Sequence, residues 1–366
     1  MSTAQYNLKT KTDYLSRQMF LDPEGPVTIQ RFEEHRYPKI NKFEVTQRGF
    51  FWVPEEINLT KDAADFKEAS DAVKHIFTSN LLRQTALDSI QGRAPSQIFT
   101  PVSSVPELEA LVSIWSSFET NIHSRSYSHI IRNIYNVPKD VFNTIHDTKE
   151  IIEMASSIGK YYERLHLLNC KKDLGEPVLE SEHIKAIWLA LHASYALEAL
   201  RFMVSFATSL AMVENKMFMG NGAIISLILQ DELLHRDWTA YMINQVVKDD
   251  RRFAAVREEC HDEVYKMYAD VIREEKDWAE YLFQKGPVIG LNTAILNDFM
   301  DYTSYNALKD VGIKYLVPTP KTTPIPWFRK HSNPSSKQTA LQEQESVNYI
   351  VGAMSAEIDY GELPTL

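Results

Sequence analysis

Apolar residues recur every three or four positions along most of this chain, the period of an amphipathic helix. The clearest runs are "DAVKHIFTSNLLRQTALDSIQGR" at 71–93 and "VPELEALVSIWSSFETNIHSRSYSHIIRNIYNVP" at 105–138. The first ends near Gly92 and Pro95; the second has Pro106 near its first turn and stops before Pro138. Further helical pattern fills 139–168, a loop is expected over 169–180, and helices follow over about 182–214, 221–247, 253–283 and 292–310. The segment 253–283 keeps its charges on one side. The segment 187–213 is apolar nearly all round, with only Glu198 and Arg201 as formal charges. Its length would permit a membrane span, but Glu198, Arg201 and His192 sit inside it and no second span follows. It is expected to be a helix buried at the centre of a large bundle. There is no alternating strand pattern and no repeat of fixed period.

The ends differ in texture. Residues 1–35 look extended, with "DPEGPV" as a turn cluster. After 316, "VPTPKTTPIPWFRKHSNPSSKQ" is rich in Pro and Ser and cannot continue a helix. The last stretch is acidic with scattered apolar residues, and is expected to be a mobile tail that orders on a partner. The expected organisation is an extended segment over 1–35, a helical domain over 36–316 and a tail over 317–366.

Composition supports an all-α fold, because only 12 of 366 residues are Gly and a helix interior loses stability at each one. A net charge of −10 leaves no broad basic face for phosphates and argues against direct nucleic-acid binding. Cys170 and Cys260 match no metal or redox spacing, and are expected to be reduced thiols of a cytosolic protein. The start, "MSTAQYNLKTKTDYLSRQMF", has no apolar signal core.

The candidate chemistry lies in carboxylates on apolar helices, which must be paired, protonated or bound to metal. Glu198 has Arg201 at i+3, so an ion pair and a ligand role are equally open. In "GAIISLILQDELLHRDW" (222–238), Glu232 and His235 stand at i and i+3, the ligand unit of four-helix carboxylate bundles. Asp88, taken alone, would read as a solvated or paired surface acid. "FETNIHSRSYSHIIRNI" (118–134) puts Glu119, His123 and Tyr127 on one helix face, four residues apart each time. In chain order the set reads single, pair, single, pair, and its oxygen and imidazole donors suit two iron or manganese ions. Glu119 and His123 are separated by four rather than three. A π-bulge would absorb the additional residue; the rival is that Glu119 swings away.

With these residues, the chain resembles the small, radical-generating subunit of class I ribonucleotide reductase over nearly its whole length. The likeness is carried by "FFWVPEEINL" (50–59), "LDSIQGRAPS" (87–96), "IHSRSYSHIIRNI" (122–134), "ALEALRFMVSFA" (196–207), "DELLH" (231–235), "EKDWAEYLF" (275–283) and "NYIVG" (348–352). The family's first pair is usually Glu-x-x-His, so the residue added here, most simply Asn121, is a departure. The resemblance implies a ferritin-like helical bundle with additional helices and a flexible C-terminal tail. It implies that Asp88, Glu119 and His123 hold one metal and Glu198, Glu232 and His235 the other. Two iron ions in a di-iron-oxo centre are the implied cofactor, with manganese able to take their place. Tyr127 would be oxidised to a stable radical when the reduced metals meet dioxygen. Phe202, Phe206 and Ile228 match the apolar pocket around it, and would otherwise read as plain core.

Trp52 and Asp231 match the relay that begins at His123, and Tyr349 matches the tail residue that hands the oxidising equivalent across. Trp115 resembles a donor to a ligand carboxylate, with plain packing equally open. The chain has no phosphate-cradling Gly-rich loop and no cysteine cluster to reduce a ribose. Reduction of ribonucleoside diphosphates is therefore expected on a separate large catalytic subunit, docked through the C-terminal tail, and the activity implied is that of ribonucleoside-diphosphate reductase. A homodimer, a cytoplasmic location and no membrane partner are implied with it. Two rival functions remain: a ferritin-like di-metal oxidase acting directly on a small substrate, which would need neither Trp52 nor Tyr349, and iron storage, which would need no sealed Tyr127.

Overall fold

The computed structural model describes residues 8, 13–314, 316–320 and 322–332; Tyr349 and most of the expected tail lie outside them. Among the described residues, β pairing is confined to two isolated bridges, Phe20 with Ser103 and Val288 with Leu291. All else that is regular is helical. The chain runs through α1 (Pro38–Gly49), α2 (Thr60–Glu68), α3 (Asp71–Gln91), α4 (Ala94–Ile98) and α5 (Pro106–Phe118). A π turn, Glu119–His123, joins α5 to α6 (Ser124–Ile134), followed by α7 (Pro138–Asn143) and α8 (Lys149–Asp173). A second π turn, Leu197–Arg201, joins α9 (Glu180–Ala196) to α10 (Met203–Glu214). Then come α11 (Met219–Asp249), α12 (Arg251–Glu259), α13 (His261–Leu282), α14 (Thr293–Asp310) and the short α15 (Phe328–Ser332).

Local chemistry sets many of these boundaries. Pro38, Pro106 and Pro138 open their helices, where a missing N–H costs nothing. The Ser70 and Asn292 side chains accept from Val73 N and Ile295 N to cap α3 and α14. Pro138 also ends the expected 105–138 helix early, because the residue before a proline avoids the helical region and Val137 is at φ −129°. Helix α8 runs on to Asp173, into the expected loop; Lys171 and Lys172 sit in its last turn, where the helix dipole favours cations. The expected 253–283 helix divides at Cys260, whose φ −94° and ψ 7° end α12. The Pro-rich stretch does hold one helical turn, α15, because Phe328 packs on Phe299 with ring centroids 5.0 Å apart.

The apolar stretch at 187–213 is the centre of the molecule. Nearly every residue from Ile184 to Met212 is buried. The span Glu180–Glu214 is long and apolar enough to cross a membrane, yet 94% of its most apolar window is covered by the rest of the protein. Helix α11 packs against both α9 and α10. Its first turn is held from far away: Asp62 of α2 accepts from Gly220 N at 3.0 Å and Asn221 N at 2.6 Å, and Asp65 from Phe218 N at 3.0 Å. Carboxylates at a helix N-terminus satisfy its free N–H groups and complement its dipole. This clamp fixes the helix that carries Asp231, Glu232 and His235.

Candidate metal centre

Four helical segments bring their acids together in the core. Asp88 comes from α3, Glu119 and His123 from the first π turn, Glu198 from the second, and Glu232 and His235 from α11. Each is fully buried. They form two overlapping groups, Asp88, Glu119, His123 and Glu232, and Glu119, Glu198, Glu232 and His235, with one ligand atom of each residue within 4.8 Å of the others. Glu119 and Glu232 belong to both groups.

The added residue in the first pair is taken up by the π turn at Glu119–His123. A π turn uses more residues per revolution than an α-helix, so four steps return His123 nearly over Glu119. Glu119 Oε2 lies 3.0 Å from His123 Nδ1, and Glu119 Oε1 lies 2.8 Å from His235 Nδ1. The backbone widens outward. Asn121 is exposed, and the Thr120 hydroxyl donates to Gly92 O at 3.2 Å. A Cβ on Gly92 would stand 2.5 Å from that hydroxyl, so glycine permits the close approach. Deleting Asn121 is therefore expected to close the π turn into regular α-helix with both flanks in place. Bound metal per chain, measured by elemental analysis, should not change; its loss would show that the four-residue spacing is required.

The second π turn had no signature in the sequence, and it decides how Arg201 is used. Arg201 does not neutralise Glu198 but pairs with Glu274 at 2.6 Å, with Glu275 at 3.8 Å, and donates to Ser157. Within a π turn, three steps no longer share the face that they share in an α-helix. Glu198 instead accepts from two neutral donors at Oε1, Gln91 Nε2 at 2.6 Å and Trp115 Nε1 at 3.0 Å. Trp115 thus donates to Glu198. Gln91, itself held by the Tyr162 hydroxyl at 2.8 Å, lies inside "LDSIQGRAPS" but carries no signal that separates it from an ordinary helix residue.

The remaining oxygens of the cluster have no donor to themselves. Glu232 Oε1 lies 3.2 Å from His123 Nδ1, and Glu232 Oε2 and Glu198 Oε2 lie 3.0 Å and 3.6 Å from His235 Nδ1, nitrogens already shared with Glu119. Neither oxygen of Asp88 has a hydrogen bond of acceptable geometry among the described residues. Buried acceptors left in this state are costly, and four converging carboxylates repel. Two divalent cations would match their four charges and take up the free oxygens, so the donor set fits a metal pair. Without cations, protons do this work. Burial first, then the charges of Glu119 and Glu232, push the Asp88 carboxyl well above its usual range; burial and then Glu232 do the same to Glu198. Burial alone would lower His123 and His235, but the Glu119 carboxylate and its neighbours raise both. Burial would likewise raise Glu232, which the His123 charge and hydrogen bonds from Glu198 and His123 hold below the carboxylate range.

Groups with raised pKa values hold their protons to higher pH, and these protons compete with cations. Metal affinity should therefore fall as pH drops, and loading should release protons. Calorimetry in two buffers of different ionisation heat measures that release; loading without it would mean that the cluster is not protonated when empty.

Tyr127, one turn past His123, is fully buried and its hydroxyl makes no hydrogen bond of acceptable geometry. Burial and then the charge of Asp88 raise its pKa well above the phenol range, so the ring stays protonated. Phe202, Phe206 and Ile228 are all fully buried in the same core, with Phe202 and Phe206 stacked at 5.4 Å. On the other side of His123, Asp231 Oδ2 receives Trp52 Nε1 at 2.9 Å and stands 3.1 Å from His123 Nε2. Its Oδ1 accepts from Gln47 Nε2 at 2.9 Å. Gln47 is fully buried on α1 and was not foreseen, since a lone Gln beside a polar helix face carries no sequence signal. His123 thus directs Nε2 to Asp231 and leaves Nδ1 for the cluster, an orientation that a second partner fixes in metal-binding histidines.

Comparisons with known proteins agree on what this chain is similar to. Residues 30–324 match the family described as "Ribonucleotide reductase, small chain". The chain is 40% identical over 368 residues to ribonucleoside-diphosphate reductase 1 subunit beta of Escherichia coli O157:H7, covering 97% of each. It is 36% identical over 370 residues to ribonucleoside-diphosphate reductase subunit beta of Enterobacteria phage T4, covering 95% of each. Among solved structures, the ribonucleotide reductase R2 subunit of Clostridium botulinum aligns with a TM-score of 0.79 at 22% identity, over 91% of this chain and 99% of that one. Streptococcus sanguinis dimanganese(II)-NrdF aligns with a TM-score of 0.66 at 19% identity, over 84% and 99%. These structures give the fold, a ferritin-like helical bundle.

Proposed function

The chain belongs to the ribonucleotide reductase small-chain family, and we propose that its six clustered ligands hold two iron ions and that Tyr127 is its radical site. It is the small subunit of a ribonucleoside-diphosphate reductase, an oxidoreductase whose family works with a large subunit. The observation that carries the site assignment is the pair of buried ligand groups sharing Glu119 and Glu232, with Tyr127 one turn away. When bound, the metal pair supplies, with dioxygen, the oxidising power to remove an electron from the Tyr127 phenol.

The chain's own residues do the rest. Asp88 is the charged group that most affects the Tyr127 hydroxyl, and is placed to take its proton. The surrounding apolar core excludes water and reductants, which keeps a phenoxyl radical from being quenched. His123, Asp231 and Trp52 form a hydrogen-bonded line along which an electron and a proton move together toward the partner. Gln47 keeps Asp231 aimed at both. Tyr349 would extend this line to the large subunit, with the tail as its docking segment and a second copy of this chain as its partner in a homodimer. Cys170 and Cys260 are both unbridged, which supports a reducing, cytoplasmic setting. Iron is preferred here, with manganese the competitor, since both take oxygen and imidazole ligands.

The test is to load the purified chain with ferrous iron and then admit oxygen. A tyrosyl signal in electron paramagnetic resonance is expected, with deoxynucleotide formed only after the large subunit is added. Full metal occupancy without that signal, together with oxidation of a small substrate by this chain alone, would favour the oxidase reading.

A further inference from the structure

Trp238 lies three residues after His235 on α11 and is fully buried. Its ring stacks on that of His235, with centroids 4.5 Å apart and planes 28° apart. An edge contact of 5.5 Å joins it to Trp115, the donor to Glu198. A buried indole N–H usually finds an acceptor, yet Trp238 Nε1 has none among the described residues. An unmet buried donor is costly, and a phenylalanine would fill much of the same space without it. Hydrogen bonding does not explain this tryptophan; ring contact does.

The contacts continue outward. Trp238 meets Phe43 of α1 at 6.4 Å, and Phe43 meets Tyr241 at 6.1 Å. Tyr241, one turn beyond Trp238 on α11, is half-buried, and the exposed Lys39 holds its ammonium 5.0 Å over the ring. The rings therefore run from a cluster histidine to the solvent edge, and they share no residue with the line through Asp231 and Trp52. Indole and phenol are the side chains most readily oxidised by one electron apart from sulfur groups. Electron tunnelling falls exponentially with the gap, so a run of ring contacts is the economical path.

We propose that Trp238 and Tyr241 form a second electron-supply route to the metal centre, one that quenches oxidising equivalents not used on Tyr127. This rests on the metal-and-radical reading above. Trp238 gives one electron to the oxidised metal pair and is left as an indole radical cation. Tyr241 returns that electron and loses its phenolic proton to solvent, leaving a neutral phenoxyl at the rim. A small one-electron reductant, such as a thiol or ascorbate, restores the phenol with one electron and one proton.

The experiment uses the full chain carrying Tyr127→Phe, so that the usual end point is removed, loaded with ferrous iron and exposed to oxygen. Freeze-quenched paramagnetic resonance and peptide mass mapping follow the products. The expected result is an indole radical and oxidised Trp238 and Tyr241, with Tyr241 oxidation reduced severalfold by Trp238→Phe. Tyr241→Phe, a half-exposed substitution that leaves the core intact, should prolong the indole radical and slow its removal by ascorbate. Tyr241 oxidation unchanged by Trp238→Phe, or damage confined to Trp52 and Trp115, would overturn the proposal. Metal content and the tyrosyl signal of the chain with Tyr127 are measured in parallel. If those are normal and Trp238 is silent, only the second route fails; if they are absent, the metal-and-radical reading fails with it.

Discussion

Replacing Tyr127 with phenylalanine is expected to abolish the stable tyrosyl signal, leaving at most the transient oxidation of Trp238 and Tyr241, and to bring nucleotide reduction to background, while metal content stays the same. The substitution keeps the ring and removes one oxygen. Asp88 is the carboxyl that interacts with the hydroxyl most strongly, so loss of the hydroxyl leaves one buried carboxyl oxygen with less support, and folding stability should change by no more than about 1–3 kcal/mol. The effect is therefore chemical rather than structural, and a thermal melt beside the spectroscopy separates the two. A tyrosyl signal that survives would transfer the radical to another ring. Tyr162 is the first alternative, because its hydroxyl reaches Glu198 through Gln91.

Replacing Glu275 with alanine is expected to destabilise the fold by about 3–5 kcal/mol, the usual consequence of removing one member of a buried ionic group. Glu275 is fully buried and pairs with Arg83, which is buried as well and lies 4.6 Å over the Trp278 ring. Arg201 stands 3.8 Å from the same carboxylate. Burial already lowers the Arg83 guanidinium to about 10, so the remaining partner cannot easily hold its charge alone. Chemical denaturation with urea should show the loss as a lower midpoint at unchanged slope. The double replacement Glu275→Leu with Arg83→Met should recover much of it, since Arg201 keeps Glu274 at 2.6 Å. A single variant as stable as the parent would mean that water enters the group.

The helical fold and the six-residue cluster were readable because they leave periodic marks. Glu232 and His235 stand three apart on an apolar helix, and Glu198 interrupts a stretch with almost no other charge. The spacing of Glu119 and His123 allowed the π turn that the structure contains, against the alternative that Glu119 swings away. What was not readable depends on geometry that arises only in three dimensions. The second π turn leaves no trace in "LEALR", and so the sequence left a Glu198–Arg201 ion pair open that the structure does not contain. Gln47, Gln91 and Trp238 gain their roles from elements more than a hundred positions away or from a neighbour across the core. The helix break at Cys260 was missed because apolar periodicity continues straight through it.

The clamp of Asp62 and Asp65 on the start of α11 has a consequence for biogenesis. Asp62 and its partner at Asn221 are 159 residues apart, so the carboxylates leave the ribosome long before the helix that they will receive. Both ligand groups also need Glu232, which is the fifth of the six ligands to be synthesised. A nascent polypeptide that has not yet delivered α11 can assemble neither group in full, so the complete cluster arises only after translation has passed α11.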